Sequence, residues 1–337
     1  MTMTPRAFGR AFTAAAMAGA LSLGALASTA QAETLRVTLQ LPMKHHLGQN
    51  LQVFKEIVEE KSNGDLTVEI YDSAQLYKDK EVPQAVASGA IEMGVASITR
   101  FAGTIPAVDI FYVPFTFPDY ETLFAATAKD SAVRGPIDEA ILGTGARVLW
   151  WQAYGSAVML SNDTALRTPA DMEGMKVRVF GKTLGDFVET VGGVPTLTSG
   201  SEQYMAYQRG TVDAGLTGIT GVTGRKLWEV MNTVTVANVA AIEFLVLINE
   251  DLWQDMSEEH RAILTEAAAE AEAWVNSRIQ EIEAAAIEET KKHADVVILG
   301  PEELAAWEVA VEPVRQGYIE SAGDMGQQLL DAALALR

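Results

Sequence analysis

The sequence predicts an α/β protein. From Leu35 the chain reads LRVTLQL, then shows a helical pattern from about Gly48 to Lys61, an Asn63-Gly64 turn, and the alternating run LTVEI from Leu66 to Ile70. Strand, helix, strand is the unit from which open sheets with helices on their faces are built. A second stretch, Gly174 to Leu216, repeats the alternation. GMKVRVF reads as a strand, Leu184 to Thr190 as a helix, Gly192-Gly193-Val194-Pro195 as a turn, and SEQYMAYQRG as a helix capped by Ser201 and stopped by Gly210. Val212-Asp213-Ala214 then starts another strand.

Residues 1–32 read as an export leader. Arg6 and Arg10 precede an apolar run from about Ala11 to Ala27, and Ala30-Gln31-Ala32 fits the small-x-small cleavage pattern, so Glu33 is the expected first mature residue. The run is short and rich in small residues, which disfavours a membrane anchor. Losing the two arginines takes the formal charge from -20 to -22. That balance argues against nucleic acid as a partner. The sequence has no cysteine, so an exported chain of this length relies on a large core rather than on disulfides.

The remaining elements follow in order. Tyr77 to Ser88 is helical in pattern, with Pro83 near its start, and Gly89 to Ala96 returns to the sheet. Ser97 and Thr99 fall at the carboxyl end of that strand, where ligands collect in open α/β sheets; the alternative for them is capping the next turn. Helices are expected over Tyr120–Ala128 and near Ile137–Leu142, and ARVLWWQAY, Ala146 to Tyr154, reads as a central strand. AIEFLVLIN, Ala241 to Asn249, is a strongly apolar strand in which alternation turns Glu243 to solvent, or else to a cleft. From Glu258 to about His293 there is no Pro or Gly, which predicts one unusually long helix. Strict apolar heptads are absent, so a coiled coil is disfavoured. Within the Gly174–Leu216 stretch Arg178 is the commanding charge, because its planar fork can meet both oxygens of a carboxylate.

The run Lys176-Val177-Arg178-Val179, Gly192-Gly193-Val194-Pro195, Glu202-Gln203-Tyr204, Gln208-Arg209-Gly210 and Val212-Asp213-Ala214 resembles the DctP-type periplasmic solute-binding proteins of tripartite ATP-independent periplasmic (TRAP) transporters. Their order and spacing carry the resemblance, which covers nearly all of the mature chain. It implies a two-lobed binding protein with discontinuous lobes, a central cleft and a long helix spanning both lobes. Lobe one is expected over 33–155 and 248–275, and lobe two over 156–247 with 276–337 and its C-terminal helices. It further implies a monomeric receptor in the periplasm that captures a small organic acid without cofactor, metal or catalysis and delivers it to the small and large membrane subunits.

The resemblance also implies a set of contacts. Arg178 is the carboxylate anchor, and Phe115, in the Pro-Phe segment Val113–Pro118, is the apolar wall. His45 lies near the cleft with His46 beside it, and Tyr204 is a further candidate. Two departures stand out. Ser156-Ala157 follow Gly155 where relatives carry a second arginine, and Leu216-Thr217 replace a Glu-Asn pair. Trp151 and Tyr154 are then expected to supply shape and donors, and Thr217 one hydrogen bond. A second ligand charge finds only Lys44 or a charged His45. Gly215, Gly218, Gly221 and Gly224 match no nucleotide motif and are expected to keep a loop close to the ligand.

Two rival readings remain. One is a receptor for an uncharged or amine-bearing solute. The other is a secreted hydrolase or lyase using His45 or His46 with Asp213, which lacks any motif context. Intact-mass analysis of the exported protein is expected to give a chain beginning at Glu33; an intact leader retained in the membrane fraction would contradict the cleavage site.

Overall fold

The computed structural model describes residues 33–337, so the leader and its cleavage site lie outside the described residues. The chain forms β1 (Glu33–Thr38), α1 (His46–Lys61), β2 (Leu66–Tyr71), α2 (Val82–Ala87), β3 (Met93–Ser97), α3 (Tyr120–Thr127), α4 (Arg134–Leu142) and β4 (Ala146–Ser161). It continues through β5 (Lys176–Val179), α5 (Lys182–Thr190), β6 (Val194–Leu197), α6 (Gln203–Gln208), β7 (Ala214–Gly218), α7 (Ile219–Arg225), β8 (Thr233–Val236) and β9 (Ala241–Asn249). The last part is α8 (Glu250–Asp255), α9 (Glu258–Asn276), α10 (Ile279–Thr290), β10 (Asp295–Ile298), α11 (Pro301–Ala310) and α12 (Glu312–Leu334).

Two lobes share one strand. The first sheet runs β2-β1-β3-β9-β4, with β1 parallel to both neighbours and β9 antiparallel to β3 and β4. From Ala157 onward β4 leaves β9 and pairs antiparallel with β7 and β8 of the second sheet, where β5 lies between β6 and β7. β9 belongs to the first sheet along its whole length, so the chain returns to that sheet at Ala241, ahead of the expected 248.

The expected single helix over Glu258–His293 is two helices, broken at Ser277-Arg278. Arg278 caps the second helix with its φ displaced to -119°, although no Gly or Pro is present. The break follows from packing in two directions: α9 lies on α1 and β4 in the first lobe, whereas α10 lies on α7 in the second. The segment therefore spans both lobes, as expected. α12 also touches both, packing on the turn Pro106–Tyr112 and on α5. Ser201 is not a cap; it sits inside the short turn Gly200–Glu202 that precedes α6, and Gly210 follows that helix at φ 62°.

The first lobe is fastened by a buried amide. Asn50 of α1 accepts from Trp150 Nε1 at 2.9 Å and from Gln152 Nε2 at 2.6 Å, both on β4, and donates to the Ala271 carbonyl of α9 at 2.6 Å. The residue is fully buried, so removing it strands three polar partners away from water. Asn50→Ala is expected to lower the unfolding free energy by about 2–4 kcal/mol in a denaturant titration. A loss below about 1 kcal/mol would mean that water replaces the amide.

Candidate functional site

The parallel strands direct three carboxyl ends to one place. β3 ends at Ser97, β5 at Val179 and β7 at Gly218, and the cavity they face is lined by Asp79, Ser97, Arg100, Tyr154, Arg178, Phe180, Gly200, Thr217, Arg225, Ile242 and Phe244. Its cavity volume is small, about 30 Å³. Both lobes and the shared strand contribute to it.

Arg178 is buried although Lys176, two residues earlier on the same face, is exposed, because only the end of β5 reaches the cavity. Its Nε and Nη2 donate to the Thr198 carbonyl at 3.1 and 2.8 Å, and Nη1 donates to the Leu216 carbonyl at 2.6 Å. A guanidinium has five N–H donors. Three are used, and the two left, one on each terminal nitrogen, suit the paired oxygens of a carboxylate. Burial, with Arg225 and Arg100 nearby, pushes its pKa down from 12.5 to about 10. It remains cationic at neutral pH without a carboxylate partner among the described residues.

Arg225 and Arg100 were not singled out from the sequence. Arg225 ends α7, reaches the cavity beside Gly200 and Gly221, and has no acidic partner among the described residues. Arg100 follows β3 and is paired through Nε with Asp79 at 2.5 Å. Asp79 is further engaged: Oδ1 accepts from the Ser97 amide and Oδ2 from the Ser97 hydroxyl, each at 2.8 Å. Three guanidiniums thus face one carboxylate that is already engaged. Only the position of Arg100 just past a strand end pointed to a site; nothing in the local sequence marks Arg225.

Tyr154 forms the aromatic wall. Its ring stacks between His45 at 5.1 Å and Phe244 at 5.2 Å. Gly218 and Gly221 leave the space it occupies: a Cβ on Gly218 would meet ring carbons at 2.5 Å, and one on Gly221 would strike its hydroxyl. Of the glycines spaced at threes, these two make room for Tyr154, whereas Gly215 lies against Tyr207 and Gly224 against His45.

The other candidates separate into those near the cavity and those remote from it. Ser97 and Thr217 line it. Thr99 is buried one step away against Gly181. His45 stands behind Tyr154, its Nδ1 accepting from the Leu47 amide at 3.2 Å to cap α1. Phe115 does not line the cavity; its φ of 58° turns it into a separate hollow with Ala305, Glu308 and Val311. Trp151 does not line it either, being buried against Phe111 and Arg134 with Nε1 donating to Asp138 at 2.9 Å. Tyr204 lies away on α6, its hydroxyl donating to Glu229 at 2.9 Å. Glu243 faces neither solvent nor cavity. Ile242 and Phe244 take the cavity side, and Glu243 is buried on the opposite face, where burial and Glu272 push its pKa well above the usual range. Lys44 is exposed at a second hollow, with His45 and His46. No group of His, Asp and Glu among the described residues has the arrangement of a metal site.

Two lobes joined by crossing segments, with a cationic cavity between them, define a solute-binding protein. The chain belongs to the family described as bacterial extracellular solute-binding protein, family 7, the DctP family, whose model matches residues 39–321. These are periplasmic receptors of TRAP transporters, not enzymes. The chain is 29% identical over 325 residues to the C4-dicarboxylate-binding periplasmic protein DctP of Rhodobacter capsulatus, covering 95% of this chain and 96% of that one. In fold it is similar to a TRAP solute-binding protein of Shewanella oneidensis solved with succinate, at a TM-score of 0.85 and 22% identity, covering 91% of this chain and 99% of the other. It is also similar to the sugar acid-binding protein of Advenella mimigardefordensis solved with galactonate, at a TM-score of 0.86 and 20% identity, covering 91% and 99%.

The two histidines behind Tyr154 make the fold acid-sensitive. Burial lowers the pKa of His46 from 6.5 to about 4 and that of His45 well below 6.5, and His46 Nε2 is bonded to the Ala153 carbonyl at 3.1 Å. The unfolded chain binds protons first, so the stability from neutral His46 is complete above pH 6.5 and is lost as pH falls from 6.5 to about 4. One such histidine contributes up to about 1.4 kcal/mol per pH unit in that window. In denaturant titrations across this range His46→Gln is expected to flatten the slope; curves parallel to the parent's would show that His46 is not the titrating group.

Proposed function

We propose that the receptor binds a small organic acid, with Arg178 as principal anchor and Arg225, aided by Arg100, receiving a second acidic or strongly polar group. The carrying observation is the count of charges at the cavity, three guanidiniums against one engaged carboxylate. A dicarboxylate leaves that balance neutral. Desolvation on closure strengthens each contact. The name of the Rhodobacter relative and the succinate and galactonate in the two solved structures support the same ligand class. An amine-bearing solute is disfavoured, because three guanidiniums outnumber the one carboxylate at the cavity.

Tyr154 supplies the flat wall, and Ser97 and Thr217 supply hydroxyls. The receptor, read as a monomer, delivers this ligand to the membrane subunits. The strand pairing favours a first lobe of about 33–155 with 241–276, and a second lobe of about 156–240 with 279–298.

Calorimetric titration with succinate, galactonate and butyrate tests this reading. The parent is expected to prefer the dianion succinate over butyrate. Arg178→Ala is expected to raise Kd by roughly thirtyfold to several-thousandfold, the equivalent of about 2–5 kcal/mol for a broken buried charge pair. Arg178→Lys recovers part of that loss, since the fork is gone while the charge stays. Arg225→Ala is expected to reduce the preference for succinate over butyrate. Folded Arg178→Ala binding within about threefold of the parent would remove the anchor, and a parent that binds no organic acid would remove the ligand class.

A further inference from the structure

At the point where β4 changes sheets, its ladder with β9 slips: Ala153 pairs with Glu243, but Gly155 pairs with Ile242. Backbone groups at such a bulge need partners from elsewhere. Three side chains supply them. His46 Nε2 bonds the Ala153 carbonyl at 3.1 Å, Thr220 Oγ1 donates to the Tyr154 carbonyl at 3.3 Å, and Glu283 Oε1 accepts from the Ser156 amide at 2.7 Å. They come from α1, α7 and α10, so the clamp gathers the first lobe, the second lobe and the spanning segment.

Glu283 is the charged member. Its second oxygen accepts from the Tyr120 hydroxyl of α3. Its carboxylate lies against the Cα of Gly155, whose φ is 114°, and any Cβ there would overlap Oε1. Gly155 is therefore needed twice over, for its backbone conformation and for the carboxylate that sits on it. A buried carboxylate is a costly way to fill space, and in some proteins groups of this kind specify one geometry. Burial indeed raises the pKa of Glu283, with Tyr120 and Ser156 opposing the shift.

We propose that Glu283 is a positioning residue of the binding site, whose carboxylate pins the bulge at Gly155-Ser156 and thereby sets the direction in which Tyr154 enters the cavity. Glu283 does not line the cavity itself. It acts one residue away: Tyr154 immediately precedes the pinned pair, and a one-residue slip in a strand turns every side chain to the other face. The role rests on the reading of the Arg178 cavity as the ligand site.

Three variants test it: Tyr120→Phe, Glu283→Gln and Gly155→Ala, with the Tyr120→Phe/Glu283→Gln pair. Hydrogen exchange of the peptide covering Tyr154–Val158 is measured on ligand-free protein, succinate affinity by calorimetry, and stability by denaturant titration. Each single variant is expected to speed exchange at Ser156 and to raise the succinate Kd about three- to tenfold, as expected for losing one buried hydrogen bond. The double variant is expected to be no worse than the poorer single, because both changes break one unit. Folded variants with parental exchange and parental Kd overturn the proposal, even where their unfolding midpoint moves, since a merely structural role would shift stability alone. Additive losses in the double variant overturn it as well. The exchange arm needs no ligand. If the parent fails to bind succinate, exchange at Ser156 still decides the pin, and it is the ligand assignment that falls.

Discussion

A guanidinium held out of water without a counter-ion is the constraint on which the rest of this protein turns. Burying Arg178 removes its hydration, and the two carbonyls that receive it return only part of that loss. Those carbonyls, of Thr198 and Leu216, lie just beyond β6 and within β7, so the strands flanking β5 are committed to holding one side chain. Arg225 and Arg100 add to the field rather than relieve it. On the reading proposed for this cavity, an anionic ligand would supply the missing charge where the dielectric is low.

The scaffold ties the two lobes to each other by several crossings. β4 serves both sheets, β9 returns to the first, and α9 and α10 run on from one lobe to the other. On the side of α5 the lobes are also held by Asp109, whose Oδ2 accepts from the Thr183 hydroxyl at 2.8 Å across the lobe boundary. Lys78 and Glu202 meet at 2.8 Å from opposite lobes, but both are solvated, so that pair is worth little beside the buried contacts.

The strands and most helices were legible in the sequence because alternation and turn residues are local properties. That Arg178 would stand apart was legible for a related reason: a planar cation at the end of a short strand is a local pattern, and the fold buries it at the cavity. The break at Ser277-Arg278 was not, since an Ala- and Glu-rich run favours continuous helix and only the two packing directions interrupt it. Glu243 misled because alternation assigns a face, whereas β9 is a central strand with both faces covered. Phe115 was drawn in by a Pro-Phe motif, whereas the fold places it, at φ 58°, in a separate hollow. Arg225 belongs to the site only through the fold that brings the end of α7 to β5, and no window of sequence contains that proximity.

The shared strand also bears on how such receptors acquire new ligands. The cavity draws Asp79, Ser97 and Arg100 from one part of the chain, Tyr154 from another, Arg178 to Arg225 from a third, and Ile242 and Phe244 from a fourth. No contiguous segment carries the whole cavity lining, and neither lobe can be exchanged as a block without cutting β4. Recombination between homologous genes therefore has little to work with here. Specificity in this architecture is a trait that diverges by scattered point changes, with the crossing strand inherited intact.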